Sequence, residues 1–255
     1  MMTEFSTWHD GLRQDMLLGQ KRLAVLVDPE SAPRGDGWLD LINAIQRSQA
    51  TDVFVGGSLV GEGKTEPVVR ALKDAVPQPV VLFPGAPNQV VQGADALLYL
   101  SLISGRNPDL LIGRHVESAP RIVKMGIPTV ATGYMLLGDP PLTAAAYISH
   151  SLPIPMHKPE LAVATAQAGC LLGMQCIFMD AGSGAGTPIS TEVISAVREA
   201  VDVPIVVGGG MTSQTDLDRA WEAGATCCVV GTAIEKDPEV LDRLATDAFR
   251  IRPQG

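Results

Sequence analysis

The run Phe178-Met179-Asp180-Ala181-Gly182-Ser183-Gly184 ends an apolar stretch in a glycine-rich loop that carries one carboxylate and one hydroxyl. Glycine lets backbone N–H groups approach an anion with no Cβ in the way, and a helix start that follows adds partial positive charge. Two later apolar runs stop the same way, in Val206-Val207-Gly208-Gly209-Gly210 and in Val229-Val230-Gly231-Thr232. As neighbours, the three loops would form one phosphate cradle; taken singly, each is an ordinary strand-to-helix turn. Asp180 closes its strand where a carboxylate can reach the hydroxyl of a phosphate ester, which makes it the general-base candidate. The alternative is a turn carboxylate bonded to local N–H groups.

A second set of polar residues stands at earlier strand ends. Asp28 and Ser58 are hard oxygen groups that would suit Mg²⁺ shared with a substrate diphosphate; singly, they read as an Asx turn before Pro29 and a turn hydroxyl. Arg106 is the one guanidinium close to an expected strand top, useful to a diphosphate, or else a solvated loop residue. Tyr99, Leu102, Ile103, Tyr134 and Leu136 could line an apolar groove, although such a stripe is core by default. His9, His115, His150 and His157 show neither metal-ligand spacing nor a nucleophile partner.

These residues need a scaffold that brings strand ends together. Apolar β-rich runs at 22–28, 51–55, 79–83, 94–100, 127–131, 175–179, 204–207 and 226–230 alternate with helical periodicities. The rhythm breaks once: only about ten residues, with Pro84, Gly85, Pro87 and Gly93 among them, separate the third strand from the fourth, too few for a crossover helix. A helix is expected from 107–108 to Lys124, stopped by Gly126, and an irregular proline-bearing connection is expected to open at Gly133-Tyr134. The last helix is expected over 238–249. Eight such strands predict a (β/α)₈ barrel with its site at the C-terminal strand ends. An open doubly wound sheet fits less well, because the first strand lacks a G-x-G-x-x-G turn.

Over 255 residues, 46% hydrophobic and 18% charged, the composition suits one folded domain, expected as residues 1–255. A net charge of −9 with no basic cluster excludes a sequence-independent nucleic-acid footprint. Cys170, Cys176, Cys227 and Cys228 lack C-x-x-C spacing and read as buried thiols of a reducing compartment. The first residues lack a signal-peptide apolar region, and no run reaches the roughly eighteen apolar residues of a membrane span. A cytoplasmic homo-oligomer is expected.

Val27-Asp28-Pro29, Val55-Gly-Gly-Ser-Leu-Val60, Leu82-Phe-Pro-Gly85, Leu100-Ser-Leu-Ile-Ser-Gly-Arg-Asn-Pro108, Thr132-Gly-Tyr134, Asp180-Ala-Gly-Ser-Gly-Ala185, Val207-Gly-Gly-Gly210 and Val230-Gly-Thr232 together resemble the geranylgeranylglyceryl phosphate synthase family. The resemblance implies a modified TIM barrel with its third helix reduced or missing. It implies transfer of a prenyl group, geranylgeranyl foremost, from a prenyl diphosphate to sn-glycerol 1-phosphate, with transient membrane contact for the lipid product. By the same resemblance Asp28 and Ser58 hold Mg²⁺, and residues 178–184, Gly209, Gly210, Gly231 and Thr232 hold the acceptor, with Arg106 and Tyr134 also on substrate. The chain departs from the family pattern at Phe178, Asp180 and Met211-Thr212, where tyrosine, glutamate and isoleucine-arginine are usual. Asp180 keeps the carboxylate with one methylene less reach, and loss of the arginine leaves the phosphate fewer cationic partners. The alternatives are a sugar-phosphate isomerase or lyase and a non-catalytic prenyl- or phosphate-binding relative. A Schiff-base lyase would need a lysine inside a strand, and none of the assigned strands has one.

Overall fold

Strands that are apolar on both faces must be covered on both, and a closed barrel within a ring of helices does this. The computed structural model describes residues 7–139 and 142–244. Its eight parallel strands are β1 (Arg22–Val27), β2 (Asp52–Val55), β3 (Val80–Leu82), β4 (Ala96–Leu102), β5 (Thr129–Leu136), β6 (Cys176–Asp180), β7 (Ile205–Gly208) and β8 (Cys227–Val230). They close in sequence order, β8 pairing back onto β1 with Cys227 opposite Arg22. Around them lie α1 (Trp8–Leu17), α2 (Asp36–Arg47), α3 (Thr65–Ala75), α4 (Arg114–Met125), α5 (Ala144–Ser149), α6 (Pro159–Leu171), α7 (Thr191–Ala200), α8 (Gln214–Glu222), α9 (Thr232–Lys236) and α10 (Val240–Arg243).

Alternation along each strand separates two cores. Phe54, Val81, Leu98, Val130, Cys176, Phe178, Val206 and Val229 fill the barrel, whereas Val53, Leu97, Met179, Val207 and Cys228 pack against the helices. Trp8 and Leu12 of α1 join the inner core. Beneath the barrel the fully buried Asp52 accepts hydrogen bonds from Trp8 Nε1 (2.6 Å), Thr51 Oγ1 (2.7 Å) and Arg22 Nη1 (3.3 Å). Burial pushes the Cys176 thiol up to about 12, so this cysteine is packing material.

The break in rhythm is real: between β3 and β4 the chain makes a single 3₁₀ turn, Pro87–Gln89. Three expectations need correction. β4 and β5 both run further than the periodicity suggests, to Leu102 and Leu136, so Tyr134 lies inside a strand. Register explains this: Leu102 pairs with Tyr134, and Tyr134 in turn with Phe178, so ladder bonds continue past the glycine. Helix α4 is entered through a π-helical turn at Asp109–Gly113. The last helix is shorter than expected, α10 spanning Val240–Arg243, and the remainder of the expected span, from 245, falls outside the described residues. Among the described residues no helix is long and apolar enough to cross a membrane.

Truncation of Asp52 to alanine removes the one carboxylate among the described residues that meets both Trp8 and Arg22, and leaves Trp8 Nε1 and Arg22 Nη1 short of that partner. Asp52→Ala should cost about 3 kcal/mol of unfolding free energy in urea titration; a loss below about 1 kcal/mol would show that the network does not hold α1 to the barrel.

Candidate active site

Strand register assembles the rim. Phe178 and Asp180 are two apart on β6 and face the barrel mouth, opposite Tyr134 and Leu136 of β5 on one side and Val206 and Gly208 of β7 on the other. The Asp180 side chain is buried, its Oδ2 accepting from Tyr134 Oη (2.5 Å) and its Oδ1 from Gly182 N (2.8 Å). Burial raises the Asp180 pKa above the usual aspartate value, against the opposing pull of these two hydrogen bonds. Burial and the neighbouring carboxylate push the Tyr134 phenol well above its own range, so it stays a donor. Phe178 stacks on Phe83 with centroids 4.7 Å apart and 12° between planes, and Tyr134 lies 5.6 Å and 5.8 Å from these two rings.

The three glycine loops meet. A Cβ on Gly209, whose φ is +83°, would fall 2.7 Å from Gly182 N, 2.8 Å from Asp180 Oδ1 and 2.9 Å from Ala181 N. Ser183 Oγ lies 3.1 Å from Thr232 Oγ1, joining the loops after β6 and β8. The same loops carry Gly184, Gly210 and Gly231; a Cβ on Gly184 would meet nothing, whereas one on Gly210 would run into the backbone at Thr187 and one on Gly231 would press on Leu26. Met179 and Ala181 pack outward among the helices, so at these positions the rim is backbone. Met211 is buried in the same outer layer, and Thr212 N bonds Asp216 Oδ2 (3.1 Å), so the segment where an arginine was missed serves packing and the start of α8.

Across the mouth, the Asp28 carboxylate lies against the bare Cα of Gly57, the residue before Ser58, with Oδ2 2.2 Å from where a Cβ would stand; Ser58 itself lines the groove described below. Asp28 Oδ1 accepts from Glu30 N (2.8 Å), the Asx turn weighed from sequence. Burial first, then the charges of Glu235 and Glu30, raise the Asp28 pKa. The Asp28 carboxylate is a hard oxygen donor of the kind Mg²⁺ takes where a diphosphate supplies further ligands. Among the described residues no cluster of three or more His, Cys, Asp or Glu could hold a metal, so any such ion would depend on substrate oxygens. Gln89, on the 3₁₀ turn, grips the peptide next to Ser58 from both sides: its Oε1 accepts from Gly57 N (3.1 Å) and its Nε2 donates to Gly57 O (2.8 Å).

From this mouth a groove of about 170 Å³ runs between β3, β4, α4 and α5, beside the turn that stands in place of a helix after β3. Tyr99, Leu102, Tyr134 and Leu136 line it as expected, joined by Phe83, Leu110 and Ile148, whereas Ile103 packs against Gly133 and Gly169. His115 also lines the groove, its pKa lowered by burial, so it is neutral there. Arg106 is exposed and donates to Gly105 O (2.6 Å); it does not line the groove. Sequence reasoning missed Gln89, Phe83 and the Tyr134–Asp180 bond, which depend on cross-strand register. It also missed Thr143, whose Oγ1 lies 2.4 Å from where a Cβ on Gly182 would stand.

Backbone shelf, buried carboxylate and side groove at the C-terminal rim define a TIM-barrel protein built for an anionic group next to an apolar one. The PcrB family model matches residues 17–248, and the chain belongs to that family. The geranylgeranylglyceryl phosphate synthase of Chitinophaga pinensis is 46% identical over 238 residues, covering 92% of this chain and 93% of the relative. Wild-type GGGPS from Thermoplasma volcanium shares the fold with a TM-score of 0.82 at 28% identity, over 91% of this chain and 93% of that one. The (S)-3-O-geranylgeranylglyceryl phosphate synthase of Thermoplasma acidophilum, solved in complex with substrate sn-glycerol-1-phosphate, gives a TM-score of 0.86 at 23% identity, over 95% and 96% of the two chains; that likeness is one of fold.

The contact between Gly209 and the Asp180 loop makes a direct test. Gly209→Ala should lose about 1–3 kcal/mol of stability from the left-handed backbone and should also weaken binding of inorganic phosphate in a folded sample. Unchanged phosphate affinity by calorimetry would separate this glycine from the cradle.

Proposed function

We propose that the protein is a prenyltransferase that joins a long-chain prenyl diphosphate, geranylgeranyl diphosphate foremost, to the C3 hydroxyl of sn-glycerol 1-phosphate and releases diphosphate. The observation that carries this reading is that one residue belongs to both halves of the site: Tyr134 lines the apolar groove and bonds the Asp180 carboxylate beside the glycine shelf. An apolar chain and a phosphate ester can therefore lie end to end at one carboxylate. The named activity of close relatives supports the same substrates.

In this reading the groove holds the prenyl tail. Its enclosed part is close to the size of a cavity that takes one benzene ring, so a long tail extends along its open side. Asp28 and Ser58 would hold Mg²⁺ with the diphosphate oxygens, and the ion would neutralise charge on the leaving group. The glycerol phosphate sits with its phosphate on the loops around Gly182, Gly184, Gly209, Gly210, Gly231 and Thr232, which points its free end toward Asp180. Asp180 accepts the proton of the attacking hydroxyl, and its raised pKa makes it a stronger acceptor than an exposed aspartate. Tyr134 holds the carboxylate in place without giving up its own proton. Arg106 is left a role only if its loop carbonyls release it toward the diphosphate. On this reading the reaction takes place in the cytoplasm, in a homo-oligomer that touches the membrane transiently to deliver product; the exposure of Tyr147 and Leu152 supports a covering partner surface.

Incubation with prenyl diphosphates of several lengths and each enantiomer of glycerol phosphate, with and without Mg²⁺, followed by mass spectrometry, tests the reading as a whole. Asp180→Asn should lower kcat roughly 10²- to 10⁴-fold, the size of a general-base effect, with the thermal midpoint largely kept. Normal kcat with a lowered midpoint would make Asp180 a turn carboxylate only.

A further inference from the structure

Phe83 lines the groove without an assigned part in the chemistry, yet it stands between the two halves of the site. Its backbone belongs to the Asp28–Ser58 side: Phe83 N donates to Val55 O (2.8 Å), and Phe83 O occupies the space a Cβ on Gly56 would need, 1.8 Å from that position. Its ring belongs to the other side, stacked on Phe178 and edge-on to Tyr134, the partner of Asp180. Behind it Phe178 is 1% exposed, whereas Phe83 is half-buried and lines the groove. The cation–π contacts found among the described residues, Lys21 over Trp221 and Arg22 over Trp8, lie elsewhere, so no protein cation occupies these rings.

We propose that Phe83 is a catalytic residue whose π face stabilises the allylic cation of the donor. The inference rests on the prenyltransferase reading above. The bond that breaks is C1–O of the prenyl diphosphate, its electron pair leaving on the diphosphate oxygen. Positive charge then spreads over C1 and C3 of the prenyl group. The C3 hydroxyl oxygen of glycerol phosphate gives a lone pair to C1, and its proton passes to Asp180. The reacting carbon must lie between the diphosphate near Ser58 and the hydroxyl near Asp180, and the groove-lining Phe83 adjoins both sides, through its backbone at Gly56 and its ring at Tyr134. A cation within about 6 Å of an aromatic centroid is attracted by the ring quadrupole, more so out of water. The attraction is absent while the prenyl carbons are uncharged, so it acts on the transition state and not on binding.

The test replaces Phe83 with mono-, di- and trifluorophenylalanine, which keep ring shape and withdraw π density stepwise, and adds Phe83→Leu. With geranylgeranyl diphosphate and sn-glycerol 1-phosphate, log kcat should fall steadily with each fluorine while donor KM and thermal midpoint hold. Phe83→Leu should lose roughly 2- to 30-fold in kcat. A flat kcat across the fluorinated series, or a fall that follows the midpoint or donor KM, would overturn the proposal. Absence of turnover in the wild-type protein would instead overturn the prenyltransferase reading on which it rests.

Discussion

A carboxylate buried at the mouth of a barrel is expensive, and the upper rim is arranged around Asp180. Tyr134 Oη and Gly182 N each bond one of its oxygens, and Ala181 N bonds Gly208 O (3.0 Å) to fix the loop that follows. These bonds do not restore the ordinary acidity: burial still holds the pKa above the usual value. A carboxyl whose pKa is higher folded than unfolded favours the folded state below the unfolded value, and that contribution is lost as pH rises through the folded one. Once ionised, Asp180 is therefore a destabilising charge where proton transfer is needed, a pattern common to functional sites.

The second organising constraint is the missing helix. Replacing a crossover helix by the Pro87–Gln89 turn leaves the flank of β4 part-exposed at Tyr99 and Leu100, while β3 stays buried. Instead of refilling that flank with core, the chain lines it with Tyr99, Leu102 and Leu110 and leaves a groove. The same turn supplies Gln89, whose amide replaces lost helix packing with two hydrogen bonds to Gly57. One economy of chain thus shapes both the apolar channel and the backbone next to Ser58.

Much of this was legible in the sequence because it depends on local pattern. Apolar β-rich runs gave the eight strands, the proline-rich gap before Ala94 gave the reduced helix, and three glycine stops gave the shelf. Long-range register was not legible. Nothing near Tyr134 shows that β5 extends to Leu136, and only that extension sets Tyr134 opposite Phe178 and within reach of Asp180. Arg106 shows the converse limit: its place near a strand top suggested a ligand, but its guanidinium turns to the carbonyls of its own loop. Met179 and Ala181 were read as contacts because they sit within the motif, whereas strand alternation turns their side chains to the helices.

The central claim is that Asp180 is a base whose proton affinity is set by burial against the Tyr134 hydrogen bond. The most direct measurement is the pH dependence of kcat/KM for glycerol phosphate in the wild-type protein and in Tyr134→Phe. Titration of the substrates themselves is common to both profiles and cancels in the comparison. Removal of the hydroxyl removes a bond that favours the charged carboxylate, so the Asp180 pKa should rise further and the acid limb of the variant should move to higher pH. Superimposable acid limbs, or a shift to lower pH, would contradict the account.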